Sequence, residues 1–144
     1  DAGNQPCYSG PYELAGRNYA DQDWFHEVAR LGTSTSDVFL GFRNSPHFAI
    51  ATKHDRDDGG FYVLRATIDA DMLSEQILTA GLNPTDDVFL INRDGVLQSP
   101  SRRYGEILKP FPMPVPHYSP SVEDVEVSFG AAAGEAGGFA IRRS

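Results

Sequence analysis

The spacing of apolar positions changes along the chain from a helical period to an alternating one, and this change predicts an α+β fold. Trp24, Val28 and Leu31 recur at helical spacing. Asp21 stands before this run and Gly32 directly after it, as is typical of residues that begin and end a helix. We therefore predict a first helix between Asp21 and Gly32.

Three runs rich in β-branched and aromatic residues follow, and each predicts a strand. The runs cover residues 38–43, 47–53 and 61–69. Because side chains of a strand point alternately to its two faces, Arg65 and Asp69 are expected on the same face of the third strand.

The next segment predicts a second helix and a hairpin. Residues 69–80 carry apolar positions at helical spacing. Residues 87–92 and 96–98 are apolar runs on either side of a tight turn at 93–95, and Asp-Gly between apolar runs is typical of a β-hairpin. Residues 101–108 predict a short helix.

A proline-rich stretch then separates the hairpin from the end of the chain. Five prolines lie between positions 109 and 120, and such a composition is typical of a linker or an extended crossover, which we place at residues 110–122. Residues 123–144 predict a second β-hairpin, with a turn of small residues at 130–138.

Charge and composition exclude several classes of protein. The 144 residues include 12 Lys and Arg and 20 Asp and Glu, which gives a formal net charge of −8 and argues against binding to nucleic acid. The single cysteine, Cys7, excludes an internal disulfide. No apolar run approaches the roughly 20 residues that a membrane-spanning helix needs.

Motifs for metal or phosphate binding are incomplete. Residues 54–60 resemble a calcium-binding loop, but counting from Asp55, position twelve is Ala66 where the bidentate glutamate should stand. Residues 130–138 are rich in glycine but lack the lysine of a phosphate-binding loop. The histidines show no metal-ligand spacing, so we expect no metal and no cofactor.

Aromatic and charged residues recur in an order that predicts either a ligand pocket or a packed core. Trp24 begins the first helix, and Arg65 and Asp69 share one face of a strand. An aromatic wall with one guanidinium and one carboxylate can bind complementary groups of a small molecule. In the alternative, Trp24 is a core residue and Arg65 pairs with Asp69. Both interpretations remain open at this stage.

The order of five motifs resembles a known family. The motifs are residues 18–25 (NYADQDWF), 36–39 (SDVF), 46–51 (PHFAIA), 63–69 (VLRATID) and 88–99 (VFLINRDGVLQS). Their order and spacing resemble the double Cache family, the extracytoplasmic PAS-like sensor domains of bacterial histidine kinases and chemoreceptors. The details are most similar to the sensor domains of membrane histidine kinases.

The resemblance implies a PAS-like antiparallel sheet of five or six strands, flanked by helices, with a ligand between the sheet and the loops. It implies that Trp24 lines the pocket and that Asp69 binds a ligand amine. The family's arginine two residues before the tryptophan is replaced by Gln22, and Arg43 or Arg65 could substitute for it, which favours a small acid. The complete set of candidate ligand-binding residues is Trp24, Phe39, Arg43, His47, Arg65 and Asp69.

The resemblance also implies a place for the chain in a larger protein. The sequence starts without Met, so we expect a piece of a longer chain in which residues 1–109 form a sensor domain that lacks its opening helix. Residues 123–144 would then belong to a truncated membrane-proximal segment. The parent protein is expected in the inner membrane with this part in the periplasm. A homodimer and a small organic ligand (an acid, an amine or an amino acid) are the expected partners.

Three other functions remain open. One is the sensor domain of a chemoreceptor, and another is a PAS-like interaction module whose pocket is filled by its own side chains. The third is a small hydrolase or isomerase that would use His47, Arg65 and Asp69. The sensor interpretation predicts no catalytic residue in this part of the chain, because the kinase chemistry would lie elsewhere in the parent protein.

Overall fold

The computed structural model describes residues 3–79 and 87–115 and the backbone of residues 126–132 and 135–141. Its described part is a small α+β fold with two α-helices, a three-stranded antiparallel sheet and a separate two-stranded sheet. In chain order the elements are helix α1 (Asp23–Leu31), strand β1 (Thr33–Thr35), a 3₁₀ helix (Gly41–Arg43), strands β2 (His47–Asp55) and β3 (Phe61–Asp69), helix α2 (Asp71–Thr79), and strands β4 (Glu126–Ala132) and β5 (Glu135–Ile141).

The main sheet has the order β1-β2-β3 with antiparallel neighbours. Thr33 lies opposite Thr52, and His47 lies opposite Asp69. The sheet of five or six strands that the resemblance implies is not confirmed, because β4 and β5 pair with each other and not with this sheet in the described part.

Helix α1 begins one residue later than the predicted N-cap implies. Gln22, in an extended conformation, is the N-cap instead of Asp21, and Asp23 supplies the negative charge of the first turn. Gly32 ends the helix as predicted, because its left-handed φ of 85° turns the chain and its amide donates to the Val28 oxygen at 2.9 Å.

The core lies between α1 and the inner face of the sheet. Alternation along β2 buries Ala49 and Ala51, and alternation along β3 half-buries Val63 and Arg65 on the same face. The buried cluster consists of Tyr19, Trp24, Val28 and Ala51, with Phe25, Phe39 and Val63 packed against it. Trp24 and Val28 lie on the buried face of α1, whereas Leu31, the third residue of the predicted apolar stripe, is 55% exposed.

The prediction of a strand over residues 38–43 is wrong. Phe39 forms a single bridge with His47 through two backbone hydrogen bonds of 2.9 and 3.0 Å. The chain then turns at Gly41, whose φ is +48°, into the 3₁₀ helix, which ends at a left-handed Asn44. Because these left-handed residues interrupt the extended backbone, no strand forms there, and residues 33–35 provide β1 instead.

The hairpin at residues 87–98 forms its predicted turn, although a single β-bridge joins its two arms in place of paired strands. Gly95 has a φ of +73°, and the Asn92 side chain accepts hydrogen bonds from the amides of Asp94 and Val96 at 3.1 and 2.8 Å. Ile91 and Leu97 form the bridge. The hairpin is joined to the sheet, because the buried Gln98 side chain accepts from the Val38 amide at 2.6 Å.

Residues 101–108 form turns instead of the predicted helix. The Asp87 carboxylate accepts hydrogen bonds from the Ser101 hydroxyl at 2.7 Å and from the amides of Arg102 and Arg103 at 3.1 and 3.0 Å. Ser101 also forms a β-bridge with Gly105, which closes a turn over residues 101–105.

The proline-rich stretch begins with one buried residue. Pro110 forms a bridge with Val96 but is exposed, whereas Phe111 is buried with its ring 5.4 Å from that of Phe89 and 5.0 Å from that of Tyr104. The rings of Phe89, Tyr104 and Phe111 therefore form a second apolar cluster at the hairpin.

The small-residue turn predicted for residues 130–138 is also wrong, because residues 130–132 lie in β4 and residues 135–138 in β5. The predictions for residues 80–86, 116–125 and 142–144 lie outside the described residues. Among the described residues, no helix has the length and apolar character to cross a membrane.

Candidate functional site

A small pocket lies beneath the 3₁₀ helix, between it and the inner face of β2 and β3. Phe39, Arg43, His47 and Arg65 line it, which brings together four of the six candidate residues. Trp24 and Asp69 do not line the pocket, but each contacts a residue that does.

Five lining residues are not among the sequence candidates, namely Leu14, Tyr19, Gln22, Gly41 and Phe42. Tyr19 lies in the first motif of the resemblance, five positions before Trp24, and this position could have identified it as a pocket residue. Gly41 lies inside the run that was interpreted as a strand, and only its left-handed backbone shows its position in the pocket wall.

Arg65 lies against the aromatic wall. Its guanidinium carbon is 4.4 Å from the centre of the Tyr19 ring and 4.9 Å from that of Trp24. Burial lowers the pKa of Arg65 below its ordinary value. Within the described residues Arg65 forms no ion pair with a carboxylate.

The alternative in which Arg65 pairs with Asp69 is wrong. The two residues share one face of β3 as predicted, but four residues of strand separate them by about 13 Å. The 3₁₀ helix instead places Arg43 over the end of β3, where its Nη2 donates to Asp69 Oδ1 at 2.5 Å.

Arg43 is enclosed by the fold, with a side chain only 6% exposed. Its guanidinium carbon is 4.1 Å from the centre of the Tyr12 ring. Burial alone would lower the pKa of Arg43, but a hydrogen bond to the Tyr12 hydroxyl and the charge of Asp69 outweigh it, so this pKa is raised. Arg43 therefore remains charged inside the fold.

His47 is buried with a defined tautomer. Its Nδ1 lies 2.7 Å from the Ser45 carbonyl oxygen, which can only accept a hydrogen bond, so Nδ1 carries the proton. The ring also packs on Phe39, with centroids 4.5 Å apart. Burial lowers the pKa of His47, and the charges of Arg43 and Arg65 act in the same direction, so the imidazole is neutral at pH 7.

The buried His47 predicts a loss of stability in acid. Since its pKa is lower in the folded chain than the ordinary 6.5, the unfolded chain binds the proton more readily, and stability falls as the pH drops below that value. We expect His47→Asn to reduce the loss in unfolding free energy between pH 7.5 and 5.5, by up to about 1.4 kcal/mol per pH unit.

Urea unfolding at the two pH values measures this difference within each variant. The exposed His54 provides the control, and His54→Asn should keep the wild-type difference. An equal loss for His47→Asn and wild type would contradict the assignment.

Three polar atoms around the site lack a hydrogen-bond partner within the part of the chain that the structure describes. They are the Tyr19 hydroxyl, Trp24 Nε1 and Arg43 Nε, and all are buried. Leaving a buried polar group unpaired costs about 1–3 kcal/mol, so the cluster is unlike an ordinary core.

The pocket is small. About 10 Å³ is open to the centre of a water-sized sphere, and the total empty space, including solvent at the mouth, is about 210 Å³. A site with that volume holds about one water molecule, and drug-sized ligands need pockets of about 300 Å³ or more.

The other chemistry of the described residues is limited. Among them, no group of three or more His, Cys, Asp or Glu side chains is placed to bind a metal.

No family model matches the chain, and no curated protein or solved structure matches it.

Proposed function

We propose that this chain is a small-molecule-sensing domain, on the extracytoplasmic side of a membrane-anchored histidine kinase. The observation that carries the proposal is the set of buried polar groups that converge on one pocket without partners in the described chain. The Tyr19 hydroxyl and Arg43 Nε belong to this set and line the pocket. A bound molecule would supply the missing hydrogen bonds.

The order of sequence motifs supports the signalling part of the proposal. The resemblance to double Cache sensors rests on residues in α1, β2, β3 and the hairpin, and the pocket is lined by His47 of β2, Arg65 of β3 and Gln22, the N-cap of α1. A ligand that binds one conformation more tightly shifts the equilibrium between conformations by that difference in affinity. The same logic applies to a chemoreceptor, whose output would also lie in another part of the parent protein.

The hydrolase alternative receives less support from the geometry. The Nδ1 of His47, which a His-Asp pair would use, donates to the Ser45 carbonyl. Asp69, although it lies opposite His47 in the sheet, binds Arg43. The two residues are therefore engaged with other partners.

An interaction module without a ligand is the second candidate, because the pocket is nearly filled. Tyr19 and Trp24 occupy the space on one side of Arg65, and room remains for about one water molecule. In this case the sheet would serve to bind a second copy of the chain.

A thermal-shift screen of small organic acids, amines and amino acids tests the sensing function. A ligand at 100 times its dissociation constant adds about 2.7 kcal/mol of stability, and at least one compound should raise the melting temperature. Arg65→Ala should remove that response, whereas the exposed Arg56, which pairs with Asp58, is the control, and Arg56→Ala should retain it.

Two results would count against sensing. A screen in which no compound raises the melting temperature, together with a dimer in sedimentation velocity, would favour the interaction module. A hit that binds Arg65→Ala as tightly as the wild type would place the ligand elsewhere on the molecule.

A further inference from the structure

The charge inside the pocket has the opposite sign to that of the whole chain. Arg43 and Arg65 both line it, and Asp69 pairs with Arg43 from outside its lining. The wall therefore keeps an excess of positive charge in a chain whose formal net charge is −8. Such a local excess, buried from solvent, favours a negatively charged ligand.

The hydrogen-bond donors around the pocket point to the same class of ligand. The Nε–H of Arg43 and the O–H proton of Tyr19 are buried and have no acceptor within the described residues. Tyr19 as a whole is 5% exposed and the Arg43 side chain 6%, so bulk water reaches neither freely. Arg65 lies over the aromatic rings, and its guanidinium donates toward the Tyr19 hydroxyl oxygen, so the proton of that hydroxyl is left to be donated to an acceptor.

An amine or an amino acid fits this arrangement poorly. The Asp69 carboxylate, which would have to hold an ammonium group, already accepts from Arg43 at 2.5 Å. His47 is neutral and its Nδ1 is occupied by the Ser45 carbonyl. An ammonium ion would therefore meet two guanidinium groups with no carboxylate of the pocket wall free to compensate.

The volume limits the size of the ligand. The pocket has room for about one water molecule at its centre and about 210 Å³ of empty space including the mouth, which limits the ligand to an ion of at most a few heavy atoms. A carboxylate matches guanidinium geometry, because its two oxygens accept parallel N–H bonds.

We infer that the pocket binds one compact monocarboxylate, of the size of formate or acetate, between the guanidinium groups of Arg43 and Arg65 and the Tyr19 hydroxyl. This inference rests on the proposed sensing function and adds the class of ligand. The bound carboxylate fills the empty space of the pocket and provides acceptors for the unpaired donors.

Thermal unfolding of the whole chain with four probes at equal ionic strength tests the inference. Sodium formate and sodium acetate should raise the melting temperature by about 5–10 °C at 100 times the dissociation constant. Acetamide, which has the shape of acetate without its charge, and methylammonium chloride should leave the melting temperature at its value in sodium chloride.

Two variants locate the carboxylate. Arg65→Gln should weaken acetate binding at least 100-fold, and Tyr19→Phe, which removes only the hydroxyl, should weaken it about 10-fold or more. Arg56→Gln makes the same change in a turn away from the pocket and should bind as the wild type does. Circular dichroism shows whether each variant folds, and Tyr19→Phe retains the ring if Arg65→Gln does not fold.

The outcomes separate this inference from the proposed function. A shift with acetamide, methylammonium or an amino acid but not with acetate would overturn the carboxylate and leave the sensing function in place. No shift with either carboxylate would overturn the inference, and the sensing function would fall only if the wider screen were also negative.

Discussion

Replacing Gly41 with alanine is expected to destabilise the fold by about 2–5 kcal/mol, because the change combines backbone strain with a clash in a closed pocket. The φ of Gly41 is +48°, where an L side chain costs about 1–2 kcal/mol. A Cβ there would lie 2.8 Å from Phe39 Cε2 and 2.9 Å from His47 Cε1. Overpacking of this kind typically costs a further 1–3 kcal/mol.

Gly32 separates the two contributions. It also has a left-handed φ, of +85°, but a Cβ at that position meets nothing within 4 Å. Gly32→Ala should therefore cost only the backbone term of about 1–2 kcal/mol. Urea unfolding followed by circular dichroism measures both variants. Equal losses for Gly41→Ala and Gly32→Ala would show that the rings of Phe39 and His47 move aside without cost.

The strength of the local signal decides which parts of the fold the sequence predicts. Strands β2 and β3 are confirmed because their alternating pattern matches a sheet with one buried face. Helix α1 is confirmed because its apolar stripe and Gly32 agree with each other. These elements depend on residues within a few positions of one another.

The errors have causes that are distant in sequence or invisible in hydrophobicity. Residues 101–108 do not form a helix because Gly105, with a φ of +123°, and Leu108, with a φ of +67°, leave the right-handed helical conformation, while Asp87, fourteen positions before Ser101, binds the amides of the first turn. The run at residues 38–43 has the composition of a strand, and the left-handed conformation of Gly41 is needed to turn it into a 3₁₀ helix.

In the candidate site too, local patterns are predicted correctly and contacts between distant residues are not. The shared face of Arg65 and Asp69 follows from alternation and is confirmed. The ion pair that forms is the one between Arg43 and Asp69, because the 3₁₀ helix folds back over the end of β3. Composition contains no signal for that return of the chain, so the partner of Asp69 could not be predicted.

The two apolar clusters raise the question of whether the hairpin and the sheet unfold together. Leu97, in the second arm of the hairpin, is fully buried, and its amide donates to the Lys109 carbonyl oxygen at 2.9 Å. The hairpin is tied to the sheet by the 2.6 Å hydrogen bond from the Val38 amide to the buried Gln98 side chain. This bond lies between the two clusters, and breaking it would leave the Val38 amide without its partner.

Leu97→Ala is therefore expected to destabilise the whole described fold by about 2–5 kcal/mol, the usual cost of a cavity in a closed core. Trp24 is the only tryptophan of the chain and lies in the other cluster, so its fluorescence reports on the sheet. The urea midpoint of Trp24 fluorescence should fall together with that of circular dichroism. Leu64→Ala changes a residue that is 69% exposed on the outer face, so the free energy of unfolding from either signal should change by less than about 0.5 kcal/mol. An unchanged Trp24 midpoint in Leu97→Ala would mean that the hairpin unfolds independently, because the Val38–Gln98 hydrogen bond is then too weak to couple the two clusters.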